Sequence, residues 1–259
     1  MLSKFLRLFA AAGLIAALMT GSAALSAAEA FSNDETKAIE NIVKDYIAKN
    51  PEIIGDAFLE LQRRQTTEQE AQQSQAIAKN ADALFRSDYD YVAGNSEGDV
   101  TVVEFFDYNC PFCRRAFNDI VKLIKTDSKV RVVFKELPLL GKPSEDSARL
   151  AIAAIPQGKY FEFHAELLKT KGRVTKSVAL KVAKKLGLDV EKLEKDMNDP
   201  NVDAALAANR TVADKIGVQG TPLYLIGDQI IPGAPEDLYD QLVARVNEVR
   251  TKGCKIAVC

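Results

Sequence analysis

Two cysteines one helical turn apart, in Cys110-Pro111-Phe112-Cys113, carry the most reactive chemistry in the chain. They fall where an apolar run passes into a helical pattern, which places the first thiol at a helix N-terminus. Unpaired backbone N–H groups and the positive end of the helix dipole stabilise a thiolate there. Cys113, deeper in the helix, is expected to be more buried and to resolve what Cys110 begins. Pro111 suits the first helical turn because it has no N–H to lose. Arg114 and Arg115 admit two readings, as positive charge favouring the thiolate or as a solvated helix face. A zinc site would need more ligands than this pair, and only Cys254, Cys259 and His164 could supply them. A purely structural bridge across so short a loop would constrain little of the unfolded chain. A redox pair fits the context best. The more stable its thiolate, the more stable the reduced form and the better an oxidant the disulfide becomes.

About 110 residues downstream, Gly220-Thr221-Pro222 directly precedes an apolar strand. Proline cannot donate to a sheet ladder. A cis Thr221–Pro222 bond beside the cysteines would leave the Thr221 backbone open to pair with an extended substrate. An ordinary trans proline at a strand start explains the spacing equally well. Cys254 and Cys259 close the chain and are read as a local structural disulfide tying down the tail. The sharper alternatives there are an accessory redox pair or a soft Cu(I) site. His164, in Tyr160-Phe161-Glu162-Phe163-His164-Ala165, reads as a packed or surface residue. As the sole histidine it argues against a His-rich metal centre, and a Ser-His-Asp hydrolase would rest on it entirely. With 34 basic and 36 acidic side chains and a net charge of −2, no large basic field attracts nucleic acid.

The elements that must position these groups read as mixed α/β beyond about residue 86. Val100 to Tyr108 is a near-continuous apolar strand, as expected in a sheet covered on both faces. A helix follows from Pro111 to about Lys125, then a buried strand at Val130–Phe134. Residues 144–215 read as several helices, with Ser144 and Thr175 as N-caps. Leu223–Ile226, a Gly227-Asp228 turn and Gln229–Ile231 form a hairpin, and a last helix runs from Pro235 or Glu236 to Arg250.

The N-terminal third has another grammar. Lys4 and Arg7, an apolar run from Leu8 to Met19 and Ala28-Glu29-Ala30 have the layout of a secretory signal peptide, over residues 1–30. Ser32 and Glu35 have capping-box spacing. Ile39, Ile42, Val43, Tyr46 and Ile47 then form one apolar stripe. Asn50-Pro51 breaks this helix and starts the next, Asn50 as N-cap, and Ile54, Phe58 and Leu61 continue the stripe. From about residue 66 to 85 the chain reads as a polar helical linker. Two short amphipathic helices cannot make a core alone. Residues 31–65 are therefore read as a helical oligomerisation segment, and an arm folded back on the body is the alternative.

Glu104-Phe105-Phe106-Asp107-Tyr108-Asn109 leading into the cysteine pair, with Gly220-Thr221-Pro222, resembles the DsbA-like branch of the thioredoxin superfamily. Phe31 to Gln65, with Ile42-Val43-Lys44-Asp45-Tyr46 and Asn50-Pro51-Glu52, is similar to the N-terminal domain of the suppressor-of-copper-sensitivity C group of bacterial periplasmic proteins. The resemblance implies a thioredoxin fold over residues 86–259 with an inserted helical domain. It makes Cys110 the attacking cysteine, Cys113 the resolving one and Pro222 a cis proline beside Thr221. Glu104 matches a buried acid thought to move protons during exchange, for which Lys135 is the expected partner.

Two departures qualify the resemblance. Strong DsbA oxidants have histidine between their cysteines, where this chain has Phe112. That sets the expected potential between roughly −120 mV and roughly −270 mV. Threonine before the proline, where DsbA has valine, is the pattern of periplasmic disulfide isomerases. The expected function is a periplasmic thiol–disulfide oxidoreductase acting on unfolded or misoxidised secreted proteins, as an isomerase or reductase. It would need no cofactor beyond its redox-active disulfide, a membrane redox partner would service it, and the family favours a trimer. The alternatives are a monomeric dithiol oxidase and, from another class, a copper-binding or holdase protein using the same thiols.

Overall fold

The computed structural model describes residues 31–254. The signal-peptide reading of residues 1–30 and the position of Cys259 lie outside them. The chain divides into two compact units, the first ending at Arg63 and the second beginning at Arg64.

In the first unit, α1 (Asn33–Lys49) starts on the expected capping box. The Ser32 hydroxyl accepts the Glu35 N–H at 3.3 Å, and the Glu35 carboxylate accepts the Ser32 N–H at 2.8 Å. Asn50 ends this helix, and its side-chain amide donates to the Tyr46 carbonyl at 2.8 Å. It therefore closes the helix behind it, where the sequence suggested it would open the next one. α2 (Glu52–Lys79) follows. The apolar stripe is displayed to solvent: Ile42, Val43, Tyr46, Ile54, Phe58 and Leu61 are all exposed, Ile42 by 67%.

The second unit takes in the end of α2 and α3 (Ala81–Phe85). Ile77, Ala81, Leu84 and Phe85 are buried in a hydrophobic cluster with Val103, Phe105 and Val133. The segment read as a polar connector thus ends as part of the core, because its last turns carry four apolar side chains that the polar run before them conceals.

The sheet has strand order β1-β3-β2-β4-β5. Its strands are β1 (Tyr91–Gly94), β2 (Val100–Phe106), β3 (Val130–Glu136), β4 (Leu223–Ile226) and β5 (Gln229–Pro232). β2 and β3 are parallel, and the other pairs are antiparallel. β2 is buried at every position. Val102 and Phe106 serve one face, and Val103 and Phe105 the other. β1 was not anticipated, being a four-residue edge strand with no long apolar run.

α4 (Pro111–Thr126) links β2 to β3, and α10 (Leu238–Lys252) lies on the same face as α4. Between β3 and β4 come α5 (Lys142–Ala154), a 3-10 turn, α6 (Tyr160–Lys169), α7 (Lys176–Lys185), α8 (Val190–Asp196) and α9 (Pro200–Lys215). This is a thioredoxin fold with an inserted helical domain. Thr175 caps α7 as expected, its hydroxyl accepting the Val178 N–H at 3.4 Å. Ser144 does not cap α5, which starts two residues earlier after Gly141, and it is buried.

The expected partnership of Lys135 with Glu104 does not form. In the parallel ladder Glu104 lies opposite Phe134, and Lys135 lies opposite Phe105. Alternation sends the two charged side chains to opposite faces. Lys135 is instead buried against the Asp90 carboxylate and 3.2 Å from the Asn209 side-chain oxygen. Removing one partner of such a pair strands the other charge away from water. Asp90→Ala is expected to cost about 3–5 kcal/mol in urea unfolding. Glu248→Ala, which breaks an exposed pair with Lys252, should leave the urea midpoint almost unchanged.

Candidate active site

The site is built on the turn from β2 to α4. The Asp107 carboxylate accepts the N–H groups of Asn109 at 2.7 Å, Leu139 at 2.8 Å and Leu140 at 3.0 Å. Asn109 reaches outward to the inserted domain. Its amide donates to Ser144 Oγ and to the Val174 carbonyl, both at 3.1 Å, and its oxygen accepts the Val174 N–H at 2.8 Å. Between these anchors, Cys110 takes extended backbone angles as the N-cap of α4, with Pro111 in the first turn.

Cys110 is 5% exposed and Cys113 is fully buried. Both are free thiols. The Cys110 thiol is pulled from its ordinary 9.0 down to about 6, first by its hydrogen bond with the Cys113 side chain and then by backbone N–H groups of the first turn. Its Sγ lies 3.1 Å from the Thr221 carbonyl oxygen, which can accept only from the protonated thiol. Burial, the hydrogen bond to Cys110 and the charge of Glu104 all push Cys113 upward. One sulfur is poised to be a thiolate and the other to remain a thiol.

The Thr221–Pro222 bond is cis. The fold thus brings Thr221 from just before β4 against Cys110, two segments 111 residues apart. Glu104 is buried on the face of β2 that meets α4. Burial raises its carboxyl to about 8, and a hydrogen bond from the Tyr224 hydroxyl at 3.2 Å works in the opposite sense.

Neither arginine is merely solvated. Arg114 donates to the Tyr108 carbonyl at 2.8 Å and to the Gly172 carbonyl at 2.6 Å, and its charge acts on Cys110. Arg115 donates to the Ala234 carbonyl and stacks on Phe112, 5.3 Å from the ring centre. Phe112 itself is 53% exposed beside the thiols.

Sequence reading missed a second buried polar group. Glu136, at the end of β3, accepts the hydroxyls of Tyr108 at 2.7 Å and Tyr160 at 2.9 Å. Tyr108 also lies 3.1 Å from His164 Nδ1. Burial raises Glu136 well above its ordinary value and lowers His164 to about 3, so the imidazole is neutral. His164 is packed among Phe106, Phe134 and Tyr160. The only signal for this group was an acidic residue ending an apolar strand. Asp107 and Tyr224 were also passed over, because a turn carboxylate and a strand tyrosine have ordinary structural readings.

Among the described residues no group of three or more His, Cys, Asp or Glu side chains is placed to hold a metal ion. Cys254 is disulfide-bonded. It packs against the turn between β4 and β5, where a Cβ on Gly227 would come within 2.9 Å of its own Cβ.

Residues 101–245, more than half of the chain, match the DSBA-like thioredoxin domain, and residues 35–68 match the copper resistance protein ScsC N-terminal domain. A thioredoxin-like oxidoreductase from Silicibacter pomeroyi is 44% identical over 66% of this chain and 98% of its own, with a TM-score of 0.64. A linker-deletion mutant of Proteus mirabilis ScsC is 27% identical over 86% of this chain and 98% of its own, with a TM-score of 0.65. The thiol-disulfide exchange protein alpha-DsbA2 from Wolbachia pipientis is 29% identical over 70% and 97%, with a TM-score of 0.64. The chain spans 22% of the length of the first curated relatives it matches. It belongs to the DSBA-like thioredoxin-domain family and carries in front of that domain an N-terminal segment of the ScsC type.

Proposed function

We propose that the chain is a periplasmic protein disulfide isomerase or reductase. The observation that carries this reading is the Cys110 sulfur at the head of α4, 3.1 Å from the Thr221 carbonyl, with Cys113 buried one turn behind. The Cys110 thiolate attacks one sulfur of a substrate disulfide, and the other leaves as a thiolate. A mixed disulfide joins Cys110 to the substrate. A substrate thiol can then break it, reshuffling the pairing and returning Cys110 reduced. Alternatively Cys113 loses its proton to Glu104 and attacks Cys110; the substrate leaves as a thiolate, reduced by two electrons, and the enzyme becomes the disulfide.

The electrons are held in two sulfurs, so the reading requires no cofactor. The natural substrates are misoxidised secreted proteins. A membrane redox partner would reduce the Cys110–Cys113 disulfide after each reductive turnover. Isomerisation gains from several active sites around one scrambled substrate, and the exposed stripe of α1 and α2 is the surface that would gather copies, a trimer by resemblance. The second reading is a dithiol oxidase, favoured by the lowered thiol of Cys110, since a stable thiolate makes the disulfide more oxidising. Copper binding by the same thiols is a reading of another class, whose signature is stoichiometric Cu(I) uptake without turnover. The Cys254–Cys259 pairing is proposed as a structural tether.

Refolding of a scrambled disulfide protein, alongside measured molar mass, separates these readings. The full mature chain should be an oligomer that reshuffles. Val43→Asp with Phe58→Asp should be monomeric and lose most reshuffling while still reducing small disulfides. A monomeric parent that oxidises dithiols without reshuffling would sink the isomerase reading. A shortened chain should begin at Arg64, where the second unit starts, because a start near residue 84 would remove Ile77 and Ala81 from the core.

Alkylation of the reduced protein, followed by mass spectrometry, should show one cysteine titrating near pH 6 and none of its reactivity at Cys113. The folded value lies below the ordinary 9.0, so this thiolate adds stability to the reduced form in full above pH 9 and loses it as pH falls through 6. Guanidinium unfolding of the reduced protein and of Cys110→Ala at pH 5 and pH 8 should show the parent gaining more stability, or losing less, than the variant on going to pH 8, because the buried acids that titrate in the same window are common to both. Cys110→Ala should also abolish thiol exchange.

A further inference from the structure

Glu104 and Tyr224 are direct partners across the antiparallel β2–β4 ladder, and both side chains are buried. The Tyr224 hydroxyl donates to Glu104 Oε1 at 3.2 Å, and Oε2 has no hydrogen-bond partner. A buried carboxylate oxygen without a protein partner is costly unless it is used. α4 brings Cys113 to this carboxylate, whose charge acts on the thiol. Tyr224 follows the Thr221–Pro222 bond by two residues, so the strand that sets the Thr221 carbonyl against Cys110 also sets this hydroxyl against Glu104.

We infer that Tyr224 is a positioning residue for proton transfer, pinning one oxygen of Glu104 and holding the other free to take the Cys113 proton during resolution. This rests on the reading of Glu104 as that proton's acceptor. A phenol can donate to a carboxylate but loses its acceptor once the acid carries the proton on that oxygen, so the contact favours the ionised form. Burial opposes it, leaving the acid near 8. Without the hydroxyl the acid would rise further, and less of it would be ionised at neutral pH. The proton count balances: Cys113 loses one, Glu104 gains one, the Cys113–Cys110 bond forms, and the Cys110–substrate bond breaks with its electron pair leaving on the substrate sulfur.

The other groups facing the pair are few. Cys113 and Asp119 come from α4, and Asp119 acts on Tyr224. β3 presents Phe134 opposite Glu104, and α10 covers this face with Leu238, Leu242, Val246 and Val249. Glu136 lies farther along β3 and is held by Tyr108 and Tyr160.

The test is Tyr224→Phe, which keeps the ring and removes the hydroxyl, in the full mature chain. A preformed mixed disulfide on Cys110 is allowed to resolve, and its rate is followed from pH 5 to 10. Resolution should slow about threefold to tenfold at pH 7, with the difference closing at alkaline pH. Alkylation of Cys110 should keep its midpoint. The infrared carboxyl band of Glu104, assigned by its loss in Glu104→Gln, should titrate at higher pH in Tyr224→Phe, and this readout does not depend on turnover. An unchanged pH profile and an unchanged carboxyl titration would overturn the inference. If Glu104→Gln slows resolution and Tyr224→Phe does not, only the role of Tyr224 falls. If Glu104→Gln leaves resolution unchanged, the acceptor reading falls and this inference with it.

Discussion

The Asp107 carboxylate is the fixed point of the active-site turn. Three backbone N–H groups, one from its own turn and two from the segment after β3, converge on it. Hydrogen bonds stand there in place of the water that this buried carboxylate has lost. It decides where β2 ends, and with that where α4 begins and which residue becomes its N-cap. Had the turn opened one residue later, Pro111 would be the N-cap and Cys110 would fall outside the helix.

From that turn inward the site is a gradient of burial. Cys110 at the rim is stabilised as an anion, whereas Cys113 and Glu104 behind it are pushed toward their neutral forms. Glu136 and His164 deeper in the core follow the same rule with opposite signs, the acid raised and the base lowered. Burial penalises the charged form whatever its sign. The exception is Lys135 with Asp90, where a direct partner offsets part of that penalty. Exchange chemistry uses the gradient directly, since one thiol must attack while the other waits.

Legibility in the sequence followed the range of the interactions. Cys110, Cys113 and Pro111 were readable because a strand-to-helix junction is local, and burial of β2 was readable because seven successive positions behave alike. The nearness of Thr221 to Cys110 was readable only by resemblance, since nothing local joins segments 111 residues apart. The Lys135–Glu104 pairing failed for want of register: one residue's offset in a ladder reverses the face. Nor could periodicity reveal the network of Tyr108, Glu136, Tyr160 and His164, in which β3 supplies the acid, α6 both Tyr160 and His164, and the turn after β2 Tyr108. The short edge strand β1 was hidden by its length, and the buried end of the connector by the polar residues that precede it.

The ties between the thiol turn and the loop over residues 172–174 are made to main chain. Asn109 holds the N–H and carbonyl of Val174, and Arg114 holds the carbonyl of Gly172. Such bonds are blind to the side chains of the loop they grip. The loop over residues 172–174 is constrained by its own side chains instead: Gly172 takes a positive φ and Val174 is buried in the core, which leaves Arg173 as the position that can change while the path is kept. Proline at position 174 would in addition delete the one donor that Asn109 accepts from it.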